Sequence, residues 1–187
     1  MANRNTQGFG LIPAGTLGST PATSGQGNYK IDAGSTTTIY NGAAVASNAG
    51  YIIDGQTTDA PILGVLNGIF YNAATTLKPT FSNFYKQPIT PANSEDIDAF
   101  VFDNPHKQYV VATDDSVAQS GYLETYDMNT SAGSDTTGKS SATLDIGDTS
   151  ADAASFRLLR SAEDPENDEN AAFRSVVVVP NLIELQS

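Results

Sequence analysis

Residues Arg160–Asn181 read "RSAEDPENDENAAFRSVVVVPN", an acidic run followed closely by four consecutive valines. Branching at Cβ suits valine to the pleated backbone. Four valines together on an open sheet edge would invite pairing with other chains. Arg174 before them and Pro180 after them resemble gatekeepers, so Val176–Val179 belong inside a sheet or beneath a partner. The acidic run "DPENDEN", Asp164 to Asn170, is then either a cation site or a connection between two strands. Asp164, Glu166 and Asp168 alternate as ligands for a hard cation do, and calcium wants six to eight oxygens. The EF-hand spacing fails, because Glu169 stands where the sixth-position glycine belongs and Ser175 where the twelfth-position glutamate belongs. The run reads as a solvated turn.

The same strand grammar extends upstream. "SFRLLRSA", from Ser155, and "FRSVVVVPNLIEL", from Phe173, are the final predicted strands. "IDAFVFDNPHKQYVVATDD" predicts a hairpin with strands Ile97–Phe102 and Lys107–Ala112, since Pro105 fixes its own φ and keeps Asn104 out of the helical region. "APILGVLNGIFYN", Ala60–Asn72, is apolar on both faces and reads as a strand buried on both sides. Gly64 and Gly68 there mark bulges or close backbone approach. A buried helix is the rival reading, with each of the two glycines weighing about 1 kcal/mol against it. "TFSNFYKQ", Thr80–Gln87, spaces its aromatics as a bulged or edge strand does. Four short strands are expected in "YKIDAG", "TTTIYNG", "AAVAS" and "GYIIDG", between Tyr29 and Gly55. Helical turns are expected only at Asp115 and at Thr149 or Ser150, and Asn129–Ser141 reads as an exposed loop. The predicted fold is all-β: one sandwich or barrel-like domain over 29–187, with an extended N-terminal arm over 1–28 and few short helical turns.

Composition narrows the function. The 187 residues carry 9 Lys+Arg against 21 Asp+Glu, a formal net charge of -12. Such a surface repels phosphate backbones, so nucleic acid is not expected as a ligand. Cysteine is absent, which removes disulfide and thiolate chemistry. "MANRNTQGFG" lacks the apolar region of a secretory signal, and no apolar run is long enough to cross a bilayer. No membrane association is expected.

Motifs that carry chemistry are sparse. The one histidine, His106, falls in the predicted "DNPH" turn with no nucleophile beside it in sequence, and reads as a solvated turn residue. Asp145, Asp148 and Asp152 in "LDIGDTSAD" form a second acidic set that serves better as helix caps. "GQGNYK" at Gly25 starts like a dinucleotide loop but lacks its third glycine. The acids are numerous enough that any chosen pair for glycoside hydrolysis is uninformative. The expectation is no catalytic residue, no cofactor and no metal.

The N-terminal stretch "GFGLIPAGTLG" has little charge yet carries Phe9, Leu11, Ile12 and Leu17, anchors that a flexible linker lacks. A disordered leader is the plain reading of the stretch; an arm that orders against a partner is the one that explains its apolar side chains. Phe9, Leu11, Ile12 and Pro13 are its candidate anchors, with main-chain hydrogen bonds added to a sheet edge.

The order of these pieces resembles the small β-rich decoration, or cement, proteins of tailed-bacteriophage capsids. The likeness runs through "NTQGFGLIPAGTLG", "GAAVASNAGYIIDG", "PILGVLNGIFYN", "AFVFDNPHKQYVV" and "TGKSSATLD", and closes with "SFRLLRSAEDPENDENAAFRSVVVVPNLIEL". Asn129–Ser141 is the least family-like part. The resemblance implies a structural virion protein, made in the host cytoplasm and placed on the capsid exterior, with no enzymatic role. It would bind the major capsid protein, as a homo-oligomer (dimer or trimer), and stabilise contacts between capsomers. A carbohydrate- or host-surface-binding β module of a virion is the alternative, and a hydrolase with two converging carboxylates stands third.

Overall fold

The computed structural model describes residue 3 and residues 5–18, 25–56, 61–129, 132–147, 155–168, 170–181 and 183–186. Strands in chain order are β1 (Ile12–Thr16), β2 (Gly27–Ile31), β3 (Ala44–Asn48), β4 (Tyr51–Asp54), β5 (Gly64–Asn72) and β6 (Pro79–Ser82). They continue with β7 (Ile97–Phe102), β8 (Lys107–Ala112), β9 (Thr125–Tyr126), β10 (Phe156–Ser161) and β11 (Ser175–Pro180). Sheet A runs β1-β8-β11-β10-β9, and sheet B runs β2-β7-β5-β3-β4 with β6 added on β5. Every ladder between named strands is antiparallel. The two sheets pack as a sandwich-like all-β domain, and among the described residues no helix is long and apolar enough to cross a membrane.

The valine strand sits where its composition requires. β11 lies between β8 and β10, so both of its edges are paired. Val176 and Val178 enter the core between the sheets, and Val177 and Val179 on the other face are buried as well. That core also takes Tyr109, Val111, Phe156 and Leu158 from sheet A, and Ala44 and Val65 from sheet B.

Sheet B has a second core on its other face. Its two end strands, β2 and β4, come within 8 Å of each other between Cα atoms, so the sheet curls on itself. The curled face encloses Ile31, Val45, Ile52, Leu66, Ile69, Ile97, Ala99 and Val101. β5 therefore has apolar neighbours on both sides, Val65 facing one core and Leu66 the other. A bulge between Leu66 and Gly68 breaks its register with β7. The extra residue resets the alternation, which lets Leu66 and Ile69, three apart, share the inner face.

Several expectations are corrected. β7 and β8 have the expected bounds but form no hairpin: β7 pairs β2 and β5 in sheet B, while β8 pairs β1 and β11 in sheet A. Asp103–His106 is thus the corner where the chain changes sheets. The expected strand in Thr36–Gly42 reduces to single bridges, Ile39 with Tyr85 and Asn41 with Lys139. No helix is capped at Asp115; a short 3-10 turn forms at Gln119–Gly121 instead, and the Asp115 carboxylate accepts from the Ser116 N–H at 2.6 Å. Thr149 and Ser150 lie outside the described residues. The 132–139 segment is mostly exposed as expected, but it is pinned. Asn41 N–H donates to the Gly138 carbonyl at 2.9 Å, Asn83 Nδ2 to the Thr137 carbonyl at 2.8 Å, and Ser140 is buried.

The N-terminal stretch is part of the domain's own sheets. β1 pairs with β8 as the edge of sheet A, and Leu11 N–H donates to the Gly42 carbonyl at 2.8 Å. β2 begins at Gly27, ahead of the expected boundary at Tyr29.

Candidate interaction surface

The outer face of sheet B is covered by sheet A over only part of its area. At the covered end, Val65 pairs with Phe102, and both pack into the core between the sheets. Past the bulge the same face carries Phe70, paired to Phe81 on β6, and Phe100, paired to Gly68. Directly opposed residues point to the same side of a sheet, so these three phenylalanines form one apolar patch. Phe81 is 63 % exposed, while Phe70 and Phe100 are half-buried. The Phe81 and Phe100 rings lie 6.3 Å apart at 33°. Gly68 makes room for this, since a Cβ there would lie 2.8 Å from Phe81 Cζ.

Charge beside the patch is balanced. Lys30 Nζ donates to Asp98 Oδ1 at 2.6 Å, and Asp98 is the residue opposite both Lys30 and Phe70. At the turn of the same β5–β6 hairpin stands Leu77, 72 % exposed and at φ 52°. A bulky side chain in the left-handed region is strained, and Leu77 returns little burial for that strain. Leu123, exposed at φ 69°, repeats the pattern beside β9.

The four expected arm anchors separate. Leu11 is 2 % exposed and belongs to the core between the sheets, so it cannot anchor a partner. Phe9 is half-buried beside a shallow cleft of about 330 Å³ against Gly133–Ser141. Ile12 and Pro13 are exposed on β1, with Leu17 just beyond. The main-chain hydrogen bonds expected of the arm go to β8 of the same chain.

The acidic run is organised around Asn167. Its Nδ2 donates to Ser161 Oγ at 3.0 Å, the Ala162 carbonyl at 3.2 Å and the Ser175 carbonyl at 2.8 Å. Its Oδ1 accepts from the Ser175 N–H at 2.9 Å. Asp164 Oδ1 accepts from the Glu166 N–H, and Asp168 Oδ1 from the Asn170 N–H, both at 3.0 Å. Asn3, buried, donates from Nδ2 to the Ala172 carbonyl at 2.8 Å and accepts from the Asp168 N–H. The segment is a strand connection clipped to the N-terminus.

The remaining candidates do not converge. His106 is exposed in the corner, where its N–H donates to Asn104 Oδ1 at 2.9 Å and its carbonyl accepts from Leu17. Asp145 Oδ1 accepts from the Gly147 N–H at 3.0 Å, and Asp148 and Asp152 lie outside the described residues. Among the described residues no three of His, Cys, Asp and Glu are grouped to hold a metal ion. Besides the cleft at Gly133–Ser141, clefts of about 410 and 360 Å³ lie on sheet B, and the three together are lined by a single carboxylate, Asp32. Burial, and then the hydrogen bond to Asp103, push the Tyr29 phenol up to about 12.

Comparison with family models, with curated proteins and with solved structures finds no match to this chain.

Proposed function

We propose that this chain is a structural virion protein that binds the outer surface of a phage capsid and stabilises contacts between capsomers. The observation that carries the reading is the phenylalanine patch on the outer face of sheet B, beyond the end that packs on sheet A. Phe70, Phe81 and Phe100 form an apolar patch that serves neither core, on a hairpin whose turn also exposes Leu77. We take this partly exposed apolar patch as the contact surface. The sequence resemblance supplies the partner class, the major capsid protein. A protein that binds the assembled shell in preference to its free subunits stabilises the shell by mass action. Repetition of the site over the lattice adds avidity without new contacts.

Cryo-electron microscopy of virions from a phage that encodes this chain tests the proposal. The expected result is regular external density that fits the two-sheet domain, with the β5–β6 hairpin against the shell. A shell without that density, in particles whose protein content lacks the chain, contradicts it.

A further inference from the structure

We infer that Lys107 and Thr16 form a small anion site at the end of the sandwich, one that takes a single carboxylate. Lys107 opens β8 and shares its inward side with Tyr109 and Val111, so its stem runs into the space between the sheets. It is 7 % exposed. Its ammonium lies 5.4 Å from the centre of the Phe102 ring. Among the described residues it meets neither a hydrogen-bond acceptor nor a carboxylate at ion-pair distance.

A second polar group stands across the ladder. Thr16 on β1 is the residue directly opposite Lys107, and its Oγ1 is buried without a hydrogen-bond partner. An ammonium and a hydroxyl that meet no acceptor among the described residues, and that face the same side of one strand pair, are the complement of an oxyanion.

Asp103 limits the ligand's charge. Its carboxylate accepts from Tyr29 Oη at 2.8 Å. Burial first, and the Asp103 charge second, raise the Tyr109 phenol above its ordinary value, so Asp103 is felt inside this end of the sandwich. A dianion would be repelled there, so a monoanion is the ligand class that fits. The site does not depend on the capsid reading.

An amide NMR titration of the full chain with sodium acetate, against sodium chloride at matched ionic strength, tests it. Saturable shifts around Thr16, Phe102 and Lys107 are expected with acetate alone. They should vanish in Lys107→Met, which keeps an unbranched stem against the ring, and acetate should bind about 2- to 10-fold more weakly in Thr16→Val. Shifts that follow ionic strength with either salt, or that persist in Lys107→Met, overturn the site. If acetate does nothing but the chain self-associates in sedimentation velocity and Lys107→Met stays monomeric, the carboxylate comes from a second copy. The absence of both effects overturns the site. Should Lys107→Met lose its dispersed spectrum, Thr16→Val decides, and unchanged acetate affinity there is the contrary result.

Discussion

Asn167 and the acids around it divide the work of the β10–β11 connection by chemistry. A carboxylate only accepts, whereas the Asn167 amide both donates and accepts, so it can close on the N–H and the carbonyl of Ser175 together. Removing it leaves partly buried backbone groups without partners. Asn167→Ala should therefore cost about 2–3 kcal/mol in urea unfolding. Glu163→Gln, at a side chain 94 % exposed and 4.0 Å from Arg160, should change stability by less than about 0.5 kcal/mol. Tyr29 makes a pH prediction. Its phenol titrates at about 12 in the folded chain against 10.0 for an ordinary tyrosine. A group raised on folding contributes stability that is complete below the unfolded value and is lost as pH climbs through the folded one. The urea midpoint should fall between pH 10 and about 12, and Tyr29→Phe should make that fall shallower.

Among the elements, β5 shows most directly how the sandwich is assembled. A Cβ on Gly64 would lie 2.3 Å from the Phe102 carbonyl oxygen, which is backbone and cannot step aside. Gly64→Ala should destabilise by about 1–3 kcal/mol, read from thermal and urea unfolding. Leu11→Ala should cost about 2–5 kcal/mol, because that side chain, just ahead of β1, is buried in the core between the sheets. β5 also marks how far the sequence could be read. Its apolar residues on both faces and its two glycines announced a doubly buried, bulged strand, since those properties are local. β7 and β8 were equally legible as strands, down to their bounds. Their pairing was not, because a short turn with Pro105 serves a hairpin and a change of sheet equally well; the choice lies with β1, β2, β5 and β11, which are distant in sequence. The same blindness hid the destinations of apolar side chains. Leu11 and Ile12 are adjacent and alike in sequence, yet Leu11, just ahead of β1, is buried in the core, while Ile12, the first residue of β1, is 47 % exposed. The phenylalanine patch was missed because Phe70, Phe81 and Phe100 sit on three strands. The uneven spacing of "TFSNFYKQ" signalled an edge strand, which β6 is, but not which face its ring would take.

For the whole molecule, the division of apolar surface is the main result. Two cores take the buried large side chains, and exposed ones are displayed on sheet edges, turns and the outer face of sheet B. Phe81 supplies the sharpest separation of binding from folding. Its ring is mostly in solvent, so Phe81→Asp should change the urea midpoint little while removing the centre of the proposed contact. Leu11→Ala should do the reverse, lowering stability through the core without touching that surface. Co-sedimentation of the purified chain with assembled capsids lacking it measures the claim most directly. Saturable binding of the wild-type chain, lost by at least about 30-fold in Phe81→Asp at unchanged stability, is the predicted result. Capsids that bind neither protein, or both equally, contradict it.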